Sequence, residues 1–180
     1  MIRNAGFVFL FLFASLFGLP VPARADDAMA AAANGFYTVV AGKGFSSAGI
    51  PDAGGRLRLS PLLSPQLNQA LAAAASAQTR FMTKNKGAPP MIAGDIFSSL
   101  FEGPTAWTVN SCSGDSAKAR CSIALTRQDQ GKAAINWVDT LVLVNQGGWK
   151  VEDVAYDANL SSGNTGTLNQ MLKMAQAQAP

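Results

Sequence analysis

Asp95, Asp139 and Asp153 are the side chains of this sequence best placed to move a proton. Asp95 stands between Gly94 and the run Ile96-Phe97-Ser98-Ser99. It is either the N-cap of a short apolar helix, a role Asp fills well, or an acid in a cavity mouth whose pKa desolvation lifts towards neutrality. Strand alternation sets Trp137, Asp139, Leu141 and Leu143 on one face, and Trp149, Val151, Asp153 and Ala155 on one face of the next strand. A three-residue turn at Asn145 to Gly147 would put Asp139 opposite Asp153. Two carboxylates facing each other in an apolar cup repel, so they must share a proton, find a cation or sit at a wet rim. Arg127 follows Ile123 and Leu125 on a single strand face and is the best cation available. A plain Asp/Arg pair that fixes strand register competes with a catalytic use of the same residues, because ion pairs perturb pKa values without catalysing anything.

Other candidate chemistry is narrower. The chain has no histidine, which excludes His-based triads, histidine general bases, haem His ligation and the common zinc sites. Neither a metal nor a cofactor is expected. Ser46, Ser47, Ser98 and Ser99 have no histidine to activate them and no serine-x-x-lysine spacing. Gly42-Lys43-Gly44-Phe45-Ser46-Ser47 departs from a phosphate-binding loop: Ser47 replaces the third glycine, and no strand precedes it. Tyr37, Trp107, Trp137, Trp149 and Tyr156 either wall a pocket for a flat or apolar ligand or are core residues with their polar tips at its edge. The binding residues to test are thus Asp95, Arg127, Trp137, Asp139, Trp149, Asp153 and Tyr156.

The elements that must position these residues follow from periodicity. Met29, Ala32, Ala33, Phe36 and Val40 recur at helical spacing behind Asp26-Asp27, either of which can cap the helix. Gly42, Gly44, Gly49-Ile50-Pro51 and Gly54-Gly55 predict an irregular crossing up to Arg58. Ser60-Pro61 and Ser64-Pro65 are two successive cap-plus-N1 pairs. A long helix is predicted from Pro65 to about Lys84, burying Leu67, Leu71, Ala74 and Phe81. After the Lys86 to Pro90 linker, a short helix is predicted over Ile96 to Phe101, ended by Gly103-Pro104. The period then changes to two, giving an antiparallel meander near Ala106 to Cys112, Ala119 to Arg127, Ala134 to Asn145 and Trp149 to Asp157. Leu168, Met171, Leu172 and Ala175 mark a last helix.

Residues 1–25 read as an export leader. Arg3 opens it, Phe7 to Leu19 is apolar except for Ser15 and Gly18, and Ala23-Arg24-Ala25 has the small-x-small form of a signal-peptidase site, with cleavage expected before Asp26. Thirteen residues at about 1.5 Å each cover roughly 20 Å, short of a hydrocarbon core of about 30 Å, so no membrane span is expected in the mature form. No cysteine follows the apolar run to accept a lipid. The expected location is the periplasm or outside the cell, as a single α+β domain over 26–180. Removing Arg3 and Arg24 leaves 12 basic against 11 acidic residues. Basic residues form no stripe that could track a phosphate backbone, so nucleic acid is not an expected partner. In an oxidising compartment Cys112 and Cys121 should pair. Their spacing is not Cys-x-x-Cys, and a structural staple is the expected role.

Helices followed by a curved antiparallel sheet ending in Gly147-Gly148-Trp149-Lys150-Val151-Glu152-Asp153-Val154-x-Tyr156 resemble the nuclear-transport-factor-2-like superfamily of cone-shaped α+β folds. Leu59-Ser60-Pro61-x-Leu63-Ser64-Pro65, Gly94-Asp95-Ile96-Phe97-Ser98-Ser99-Leu100-Phe101-Glu102-Gly103-Pro104 and Trp137-x-Asp139-x-Leu141-Val142-Leu143-Val144 resemble a bacterial secreted and lipoprotein domain family within that fold. That resemblance implies a fold and an envelope setting, and no settled activity. The expected function is therefore non-enzymatic binding, of a small apolar ligand in the cone or of another envelope protein on the sheet face. Two alternatives stand beside it: histidine-free acid/base catalysis, an isomerase or hydrolase using Asp95, Asp139 or Asp153, and an immunity-like or inhibitory domain that binds a protein.

Overall fold

A computed structural model describes residues 25–46, 48–157, 159–160 and 162–178. The expected leader lies outside the described residues except for Ala25, and so does Ser47. The order is α1 (Ala25–Val40), α2 (Ala53–Leu59), α3 (Pro65–Lys84), β1 (Ala106–Gly114), β2 (Lys118–Arg127), β3 (Ile135–Asn145), β4 (Trp149–Ala155) and α4 (Leu168–Gln178). The chain is α+β, with four helices and one four-stranded antiparallel sheet among the described residues.

α1 holds Asp26 and Asp27 inside its first turn, where they complement the helix dipole. Met29, Ala33, Phe36, Tyr37 and Val40 are buried, and the helix packs against β1, β2 and β4. The crossing after it is not irregular throughout. Asp52 caps α2 by accepting from Gly55 N at 2.7 Å. Gly54-Gly55 hid this helix, because glycine is among the poorest helix formers. α2 also changes the role of Ser60, which ends that helix instead of capping another and donates its hydroxyl to Leu57 O. Ser64 does cap α3, accepting from Leu67 N at 3.0 Å with Pro65 at the first helical position. Leu67, Leu71, Ala74 and Ala77 are buried along α3, whereas Phe81 is only half-buried since the last turn outruns the core.

The predicted helix over Ile96 to Phe101 does not form; these residues make a run of bends. Asp95 N donates to Phe101 O at 2.6 Å, closing a loop that sinks into the interior. Ile96, Phe97, Ser98, Ser99 and Leu100 are all buried there.

The strands pair in the order β1-β2-β3-β4. Two bulges set which side chains face inward. In β1, Val109 pairs with Ile123 and Ser111 with Ser122, so Asn110 is an extra residue and Cys112 falls directly opposite Cys121. These cysteines form a disulfide with Cα atoms 4.0 Å apart. In β4, Leu143 pairs with Val151 and Val142 with Asp153, so Glu152 is the extra residue. The β3–β4 turn does have three residues, but they are Gln146 to Gly148, with Asn145 paired to Trp149.

The inner face carries Ile123, Leu125, Trp137, Asp139, Leu141, Leu143, Val151 and Val154, all buried. The other face exposes Thr108 and Val138 and half-exposes Ala124 and Thr140. β4 is covered at its outer edge. Leu63 bridges to Val151, with Ser64 N on Val151 O at 2.8 Å and Val151 N on Leu62 O at 2.9 Å, and Thr167 bridges to Ala155. β1 is the opposite edge of the sheet. No described helix is long and apolar enough to cross a membrane.

Candidate functional site

Asp139 reaches the interior because β3 alternates as the sequence indicates, and its side chain is fully buried. Oδ2 accepts from Ser99 N at 2.8 Å and from Trp137 Nε1 at 3.2 Å. Oδ1 accepts from Asp157 N at 3.2 Å and from the Ser99 hydroxyl in a very short contact. The Ser99 oxygen accepts in turn from Asp157 N at 2.6 Å. Burial pushes the Asp139 carboxyl above its ordinary pKa, and the Ser99, Trp137 and Asp157 donors only partly oppose that shift.

Through Ser99, Asp139 ties β3 to the buried loop at 94–104, which other elements hold as well. Asn164, between β4 and α4, gives its side-chain amide to Asp95 O at 2.6 Å and Ser98 O at 2.7 Å, while its backbone N–H bonds Ser99 O at 2.7 Å. The Tyr156 hydroxyl donates to Ile96 O at 2.8 Å. Asp95 Oδ1 accepts from Phe97 N at 2.6 Å, so Asp95 fixes a turn and begins no helix. At Gly103, whose φ is +71°, an added Cβ would lie 2.5 Å from Asp95 Oδ2, so glycine is required by both conformation and space.

Asp153 does not join this cluster. The turn at 146–148 already moves the register two residues from the expected one, which takes Asp153 away from Asp139, and the extra residue Glu152 then reverses the parity so that Asp153 pairs with Val142. Its Oδ1 accepts from Asn169 N at 2.9 Å in the first turn of α4. Arg127 serves neither carboxylate. Its Nη2 lies 2.9 Å from Asp129 Oδ1, and its Nη1 bonds the carbonyls of Glu102, in a very short contact, and Gly103, at 3.1 Å. The guanidinium beside Asp129 holds that carboxyl below its usual range. Trp149 is half-buried at the hairpin end, and Trp137 and Tyr156 are buried. Tyr37 is fully buried and stacks on Trp107 at 6.3 Å between centroids, and its hydroxyl has no hydrogen-bond partner among the described residues. Burial first, then the Asp139 and Asp95 charges, push its pKa well up. Tyr156 is pushed up by burial and by Asp153.

The structure therefore brings Asp95, Arg127, Trp137, Asp139 and Tyr156 around one buried loop, with Arg127 on its Glu102 and Gly103 carbonyls, and leaves Asp153 and Trp149 outside that cluster. Asn164 and Ser99 are structural members that residue type alone did not single out. Among the described residues, no group of three His, Cys, Asp or Glu side chains is placed to hold a metal ion.

The open concavity lies elsewhere. A cavity of about 500 Å³ is lined by residues of the α1–α2 crossing and of α2, among them Phe45, Ile50, Pro51, Asp52, Gly54 and Arg58. That volume falls in the range of small-ligand sites, roughly 300–1,000 Å³. The Arg58 guanidinium lies over the Phe45 ring, 5.5 Å from its centroid, and donates to Gly44 O at 2.9 Å. Phe45 is backed by Phe97 at 6.1 Å, which couples the cleft wall to the buried loop. Asp95, Arg127, Trp137, Asp139, Trp149, Asp153 and Tyr156 line neither this cavity nor a second one of about 410 Å³ at the β1–β2 hairpin.

Comparison with family models, with characterised proteins and with solved structures finds no match for this chain.

Proposed function

We propose that this chain is an exported, non-catalytic binding domain with a nuclear-transport-factor-2-like cone, and that it takes its ligand in the cleft between α1 and α2. The observation that carries the reading is the cleft itself: a cavity of about 500 Å³ with an aromatic ring, a proline, a guanidinium and a carboxylate in its walls. The interior of the sheet is the weaker candidate. Asp95 and Asp139 are 3% and 0% exposed, and the bonds traced above tie both to the loop they hold. Acid/base catalysis would need one of these carboxylates to reach a substrate. An oxidising compartment is consistent with the Cys112–Cys121 disulfide, and the leader and periplasmic location are part of the same proposal.

The test is a fragment survey by amide chemical-shift mapping on the wild type and on Gly54→Leu. A Cβ at Gly54 meets only Asp52 Oδ1, at 3.5 Å, so a leucine there enters the cleft without forcing the backbone. Shifts confined to residues 44–58 and lost in Gly54→Leu support the reading. Shifts centred on Trp137 and Tyr156, or none at 44–58, reject it.

A further inference from the structure

The cleft carries opposite charges at the two ends of α2. Asp52 is the N-cap residue and, among the described residues, commits only Oδ1, to Gly55 N, which leaves its second oxygen as an acceptor. Arg58 commits one N–H to Gly44 O, out of the five donors a guanidinium carries. Both are exposed residues lining the same cavity. The same cavity is walled by Phe45, Ile50 and Pro51 among others, and Gly54 adds no side chain to it. The neighbouring Arg56 is engaged with Pro51 O at 2.7 Å.

On these grounds, and resting on the cleft as the binding site, we infer that its ligand is a short peptide of dipeptide size with both termini free and an apolar side chain. The terminal carboxylate pairs with Arg58, the terminal ammonium with Asp52, and the apolar side chain lies against Ile50 and the part of Phe45 that Arg58 leaves uncovered. Asp52 precedes the first residue of α2 and Arg58 stands in its last turn, so the two charges bracket the helix. An extended dipeptide holds its termini roughly 7 Å apart, so that they can address two separate groups. A single amino acid holds both charges on one carbon and spans too little. A simple anion leaves Asp52 unanswered, and a simple cation leaves Arg58 unanswered.

The experiment is a titration with glycyl-L-phenylalanine, its C-terminal amide, its N-acetyl derivative and free L-phenylalanine, read by calorimetry and by amide shifts at 44–58. The dipeptide should bind best. Amidation, acetylation and shortening should each weaken binding by about three- to tenfold at low salt, with the difference shrinking as salt is added, because the paired charges are exposed. Asp52→Asn preserves the cap, since Asn caps as well as Asp, and should abolish the preference for the free ammonium over the N-acetyl form. Arg58→Gln should abolish the preference for the carboxylate over the amide. Equal binding of the amide, the N-acetyl form or free phenylalanine overturns the inference, as does absence of binding by all four. The fragment survey judges the cleft separately, so a cleft that binds other chemistry while refusing the dipeptide rejects the ligand class alone.

Discussion

Asp139 is a buried carboxyl whose protonation is coupled to folding. Its folded-state pKa is raised, so the folded chain holds this proton more tightly than the unfolded chain does. The stabilisation from this group is complete below the ordinary carboxylate range and is lost as pH rises through the raised value. Asp115 and Asp129 are held below their ordinary values, Asp115 by the Lys118 and Ala117 amides and Asp129 by Arg127. They slope the other way and cancel when wild type is compared with Asp139→Asn. Urea midpoints from pH 4 to 7 should show wild type losing stability relative to the variant as pH rises; a constant difference would refute the linkage. Asparagine also turns an amide towards a donor that the carboxylate accepted, at a cost of about 1–3 kcal/mol.

Asn164→Asp should be more damaging, since it sets a carboxylate against the Asp95 and Ser98 carbonyls in place of an amide. A loss of about 2–3 kcal/mol is expected from unmade bonds and repulsion, measured by denaturant unfolding, and a change under 0.5 kcal/mol would show that the clamp is dispensable. Asp139 was legible as an inward residue because β3 alternates cleanly. Asn164 was not, because its value lies in two carbonyls more than 60 residues upstream.

Among the elements, α3, α4 and the four strands were legible from hydrophobic spacing, while two short segments were misjudged for opposite reasons. Ala53–Leu59 forms a helix despite two glycines, with Asp52 and the packed Leu59 compensating for poor propensity. Ile96–Phe101 forms none despite an apolar run, because its carbonyls are claimed by Asn164 and its Ser99 amide by Asp139. Gly54→Leu is therefore expected to raise stability by about 0.5–1 kcal/mol through helix propensity while closing the cleft. A fall in thermal midpoint would mean that the site is tighter than its geometry indicates. Neither the one-residue displacement of the β3–β4 turn nor the β4 bulge left a mark in residue type; the first broke the facing of Asp139 and Asp153, and the second turned Asp153 to the other face.

For the molecule as a whole, one apolar core joins α1, α3, α4 and the inner sheet face around the 94–104 loop. The Cys112–Cys121 link fastens β1 to that body. Replacing both cysteines with serine should cost about 2.5–3 kcal/mol on the loop-entropy model, seen as a lower urea midpoint in the double variant; an unchanged midpoint would show that pairing with β2 suffices. The class of fold and the meander were legible because period-two alternation reports burial directly. The cleft was not, because it is built from backbone turns and a stacked guanidinium that no spacing announces.

The two edges of the sheet have unequal fates. Among the described residues one margin is bridged by Leu63 and Thr167, which leaves β1 as the more open edge for an added strand. Asn110 interrupts that strand at its middle, and Thr108, Asn110, Ser111 and Ser113 give it a hydrophilic, uneven rim. Fibrous self-assembly through edge-to-edge growth of the sheet is thereby discouraged along that rim.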